Sequence, residues 1–130
     1  MLAVATKPMT IRKCLALDLK DDPQAIADYE RWHRAENAWP EIVDSIADAG
    51  IHEMEIYRIV NRLFMVIEVD EAFDPEAKAA ADAANPKVQE WETLMQNFQQ
   101  ALPWSDGKVE WVEMDLIYKL TDAQADIARR

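Results

Sequence analysis

Cysteine is nearly absent: Cys14 is the only one in 130 residues, so no disulfide can close within the chain. Such usage suits a reducing compartment. Histidine is almost as scarce, with only His33 and His52. One thiol and two imidazoles are too few soft ligands for a structural zinc site, no spaced calcium-loop pattern occurs, and no metal is expected. Two glycines exclude a glycine-rich phosphate loop, and no Gly-x-Ser-x-Gly elbow is present. Positive charge is short as well: 14 Lys and Arg face 25 Asp and Glu, for a net charge of -11. That surface repels phosphate backbones, so neither nucleic acid nor an acidic membrane is an expected partner. No apolar run approaches the ~20 residues of a membrane-spanning helix. These absences predict a soluble, cytoplasmic protein.

What is present suits one ordered domain, since half of the residues are apolar and the length accommodates a single core. Residues 1–10 read as a loose leader, 11–120 as the domain and 121–130 as a tail that either forms a short helix docked on a partner or frays. Leu15, Leu17 and Leu19 alternate along a strand that Asp21-Asp22-Pro23 ends. Pro23 opens a helix to about Glu36, and Asn37 to Trp39 bend before Pro40. A second helix runs from Pro40 to Ala49, with Gly50 as its left-handed cap. Strands Ile51–Val60 and Leu63–Val69 form a hairpin around Asn61-Arg62. The alanine-rich run 77–84 reads simply as a helix former, and Pro86 opens a further helix to Leu102. Val109 to Leu120 is expected as the last strand.

The resulting order of strand, helix, strand, strand, helix, strand is the split βαβ, ferredoxin-like arrangement of the α+β class, with both helical units on one face of an antiparallel sheet. Several strands carry apolar residues on both parities. The uncovered face is therefore expected to pair with a second copy, giving a homodimer with a barrel-like centre.

The chemistry concentrates in Tyr29-Glu30-Arg31-Trp32-His33. Positions four apart share a helix face, so Tyr29 and His33 point the same way. An imidazole both gives and takes protons near neutrality. A packed histidine and a core tyrosine satisfied at its edge are the plain alternatives. Trp91 carries either a core or a sugar-stacking role. Glu53 and Glu55 lie on one strand face, either as solvated acids or as half of a paired-carboxylate site. With few cations in the stripe, these residues suit a neutral polyol better than an anion.

Taken as a set, Tyr29-x-x-x-His33, Trp39-Pro40-Glu41, Gly50-Ile51-His52 followed by Ile56-Tyr57, Leu63-Phe64 and Val88-Gln89-x-Trp91 resemble the L-rhamnose mutarotase family, including relatives assigned to L-fucose. The likeness extends from about Ile11 to Leu120. It implies a dimeric α+β barrel that interconverts the α and β anomers of a 6-deoxy sugar without a cofactor. It also implies that His33 is the acid–base residue, that Tyr29 binds the sugar and that Trp91 lines the pocket. Met54 stands where the rhamnose enzymes carry a sugar-contacting tyrosine, and Glu92 where they carry a second tryptophan. The interval from His33 to Trp39-Pro40 is two residues longer. These changes alter the walls and leave the acid–base residue in place. They point to L-fucose ahead of L-rhamnose, with Met54 beside the 6-methyl group. The rival expectations are a cofactor-free monooxygenase or haem-degrading enzyme of the same architecture, and a non-catalytic sugar-binding module.

Overall fold

A computed structural model describes residues 10–130. The leader expected over residues 1–10 lies outside the described residues except for Thr10, which already belongs to the first strand. The chain runs β1 (Thr10–Leu19), α1 (Pro23–Trp32), α2 (Pro40–Asp48), β2 (Ile51–Ile59), β3 (Arg62–Asp70), α3 (Pro75–Ala83), α4 (Pro86–Gln96), β4 (Gln99–Gln100), β5 (Val112–Glu113) and α5 (Leu120–Arg129). α1 to α4 all open on a proline in the first turn. The ring presets the helical φ there and removes an N–H that would have no partner. Asp22, Asp74 and Asn85 accept the next free N–H groups from their cap positions.

The sheet is antiparallel with order β2-β3-β1-β4, and β5 also pairs with β1. The fourth strand of the expected arrangement is thus divided. β4 pairs with Asp18 and Leu19, whereas β5 pairs with Leu15 and Ala16. One sheet face meets the helices. Leu19, Leu63, Tyr29 of α1 and Met95 of α4 form one core cluster; Ile51, Ile67 and Val69 form a second, against which Ile46 of α2 packs. Leu17, Leu19, Leu63, Val69 and Leu102 are the most deeply buried side chains, and each contributes about 1.5–3 kcal/mol through burial.

Four boundaries differ from those the sequence predicts. α1 stops at Trp32, not near Glu36, and a single 3-10 turn (Ala35–Asn37) follows. The cause is local: the His33 side chain bonds the Tyr29 carbonyl, and the Asn37 side chain bonds that of Arg31. Those carbonyls are satisfied without a further helical turn. The β2–β3 hairpin turns on Val60-Asn61, because Ile59 pairs with Arg62. Val60 takes a positive φ of 54°. Asn61 holds that turn by bonding Leu19 through both its side chain and its carbonyl.

α4 ends at Gln96, where Asn97 bonds back to Leu94 and the chain turns to pair with β1. Finally, Val109–Leu120 is not one strand. Only Val112–Glu113 and the Met114 N–H bond to β1, and the chain then leaves the sheet as an exposed arm. Of the 121–130 tail, all but Arg130 joins Leu120 in α5.

The sheet face away from the helices carries Cys14, Ala16, Phe64, Val66, Val112 and Met114. Asp18 lies on the same face, buried, and takes two bonds from Arg62 at 2.8 and 3.2 Å. Trp104 rests against that guanidinium at 5.0 Å.

Candidate active site

α1 presents Tyr29 and His33 toward the sheet one turn apart, as their spacing requires. Their rings stack with centroids 4.1 Å apart. The Trp91 ring of α4 meets the imidazole edge-on at 5.4 Å, and Trp39 meets Trp91 at 5.1 Å. A cavity of about 450 Å³ lies between the helices and the sheet, and Tyr29, His33, Met54 and Trp91 all line it. Its volume is within the range of small-molecule sites. A second hollow of about 390 Å³ shares Tyr29, His33 and Ile56 with it. The open edge of His33 borders both spaces. Beside the second hollow, Arg58 of β2 is ion-paired with Glu30 of α1.

One hydrogen bond decides the state of the imidazole. His33 Nδ1 lies 2.8 Å from the Tyr29 carbonyl oxygen. A carbonyl only accepts, so Nδ1 carries the proton and the neutral ring keeps a bare lone pair on Nε2. Partial loss of water around the ring disfavours its charged form and lowers the pKa of His33 from its ordinary value, and the bond to Tyr29 partly offsets that. Near neutrality His33 is therefore an uncharged base. The Tyr29 hydroxyl is driven the other way: burial raises its pKa strongly, against a smaller opposing effect of the Gln99 side chain. It stays a protonated phenol, a hydrogen-bonding group that does not act as a base.

The four residues singled out in the sequence thus border one space. Glu53 and Glu55 do not: they point to the opposite side of β2, where Glu55 accepts from the Tyr57 hydroxyl. Their reading as solvated acids holds. Residues not singled out as site residues also line the cavity: Gln99, Trp111, Met65, and the Lys78–Asp82 pair of α3. The i,i+4 spacing of Lys78 and Asp82 was the available signal for that pair. Among the described residues, no cluster of metal-ligating side chains occurs, and no helix is long and apolar enough to cross a membrane.

Residues 12–120 match the L-rhamnose mutarotase family. The chain is 51% identical over 112 residues to a protein described as L-fucose mutarotase from Xanthomonas campestris pv. campestris, covering 86% of this chain and 90% of that one. Among solved structures, it is similar to an L-rhamnose mutarotase from Formosa agariphila, with a TM-score of 0.62 at 20% identity, over 85% of this chain and 98% of the other. The tetracenomycin F2 cyclase of Streptomyces glaucescens shares the fold at a TM-score of 0.53 and 14% identity, over 84% and 95% of the two chains. The family match sets aside the monooxygenase and haem-degrading readings. With the match spanning most of its length, the chain belongs to the L-rhamnose mutarotase family.

Proposed function

We propose that this sugar mutarotase interconverts the α and β anomers of a 6-deoxy-L-hexose, L-fucose ahead of L-rhamnose, with His33 as the proton-transferring group. The observation that carries this reading is the Nδ1–H bond to the Tyr29 carbonyl, which leaves Nε2 as a lone-pair acceptor on a residue that lines the cavity.

In the proposed cycle, Nε2 takes the proton of the anomeric hydroxyl. As the O1–H bond gives its electrons to C1=O1, the C1–O5 bond breaks, and its electrons stay on O5. The imidazolium returns the proton to O5. Both oxygens are attached to C1, so one base atom serves them in turn. Rotation about C1–C2 and the reverse sequence close the ring on its other face. No electron leaves the sugar, so the scheme needs no cofactor. The Tyr29 phenol, held protonated, donates to the sugar oxygens and orients them. Trp91 faces the ring, and Met54 takes the 6-methyl group. The 51% identity to a protein described as L-fucose mutarotase supports the preferred sugar.

A second copy completes the assembly in this proposal. The open sheet face has an apolar centre of Ala16, Phe64, Val66 and Val112, and the arm after β5 leaves Leu116 78% and Ile117 93% exposed. Surfaces of this kind are buried in partners, and face-to-face sheet pairing supplies one. The single cysteine, which can close no disulfide within the chain, supports a reducing, cytoplasmic setting.

The test is NMR exchange between L-fucose anomers. His33→Ala should fold and lose about 10²–10⁴-fold of the acceleration. Undiminished exchange in that variant would remove His33 from the reaction.

A further inference from the structure

α3 has its polarity reversed. Its alanines face solvent, while Lys78 and Asp82 are the half-buried residues of the helix. Surface helices ordinarily turn apolar residues inward and charges outward. Lys78 Nζ lies 2.7 and 2.6 Å from the two oxygens of Asp82, and both side chains are only 20% exposed. A partly desolvated ion pair is a weak source of stability, and apolar residues would serve a structural wall as well. This pair lines the cavity that also holds His33 and Trp91.

Its position is specific. The cavity shares Tyr29, His33 and Ile56 with the hollow on one side, and Ser45, Lys78 and Asp82 with a groove between α2 and α3 on the other. The two flanking spaces share no lining residue. The ion pair and the imidazole therefore stand at different ends of one space. If the anomeric carbon sits at His33, the opposite edge of a pyranose, C3 and C4, turns toward α3. Lys78 has one N–H and Asp82 has lone pairs beyond those used in their mutual bonds.

Resting on the mutarotase reading above, we propose that Lys78 and Asp82 recognise the sugar's 3,4-diol and set the preference among sugars. Asp82 accepts from one hydroxyl and Lys78 donates to its neighbour. The pair suits hydroxyls that are cis, as in L-fucose, over the trans 3,4-hydroxyls of L-rhamnose. D-arabinopyranose has the same C2–C4 configuration as L-fucose and lacks only the methyl group, so it reports on the diol alone.

The experiment compares anomer exchange of L-fucose, D-arabinose and L-rhamnose by wild type, Lys78→Met and Asp82→Asn, with melting curves as a folding control. Losing a hydrogen bond to a charged group should lower kcat/KM for L-fucose and D-arabinose by about tenfold to a hundredfold, mostly through KM. L-rhamnose should change by less than about threefold, since the pair contributes little to its binding. An equal loss for all three sugars, or no loss, overturns the proposal even where wild type is active. If wild type accelerates no exchange, the mutarotase reading fails separately. Saturation-transfer binding of the same sugars to the same variants then decides the role of the pair. A variant that fails to fold is replaced by Lys78→Gln or Asp82→Ser.

Discussion

His33 terminates the helix that carries it: its Nδ1–H takes the Tyr29 carbonyl at 2.8 Å, while its backbone N–H bonds Glu30. The same contact orients the ring, selects its tautomer and ends α1.

The rate should fall only toward acid. Desolvation holds the His33 pKa below its usual 6.5, so the acid limb of kcat/KM should have its midpoint below 6.5. The rate should be flat above it, because the Tyr29 phenol does not ionise in the working range. The same sign governs stability. The unfolded chain binds a proton at His33 more readily, so this residue costs the fold nothing above pH 6.5 and destabilises it as pH falls below that value, down to the folded pKa. Anomer exchange measured across pH 5–9, with buffer catalysis subtracted, checks the profile.

Tyr29→Phe separates packing from hydrogen bonding. The ring is 3% exposed and packs with Leu19, Leu63 and Met95, so the variant should keep its melting temperature within a few degrees. Losing the hydroxyl should slow exchange by about tenfold, the scale of one buried hydrogen bond. A rate equal to wild type would remove the hydroxyl from substrate contact.

The Asp18–Arg62 pair should respond unequally to its two deletions. Arg62→Met leaves a buried carboxylate without its cation and should cost about 3 kcal/mol. Asp18→Asn leaves a guanidinium with a 36% exposed side chain, which turns to water, and should cost about 1 kcal/mol. Urea unfolding of both variants measures the difference.

Gly50→Ala should destabilise the α2–β2 junction by about 1–2 kcal/mol. Gly50 has a φ of 88°, and an added Cβ would sit 2.9 Å from Asp70 Oδ2. The variant should also disturb the contact between Asp70 and His52. Thermal melting, with the His52 ring signals followed by NMR, tests both effects.

The proline-opened helices and the alternating leucines of β1 were legible because each signal is local. Their physics acts within one or two turns of chain. The shared placement of Tyr29, His33, Met54 and Trp91 was legible through helical spacing together with the family resemblance. The end of α1 was not, because it depends on a side chain replacing a backbone donor. The alternation of Val112, Met114, Leu116 and Tyr118 suits any extended segment, paired or free, so it could not reveal that pairing ends at Met114. The inward placement of the Lys78–Asp82 pair was not legible, because an alanine-rich helix has no apolar stripe from which to read its inner face.

The file of rings from Tyr29 through His33, Trp91 and Trp39 to Trp32, with successive centroids no more than 6.4 Å apart, gives the protein a built-in optical probe. A protonated imidazole quenches indole emission at contact distance. Acid titration of the substrate-free protein should therefore dim its fluorescence with the midpoint of His33, and replacing Trp91 with Phe should weaken that signal.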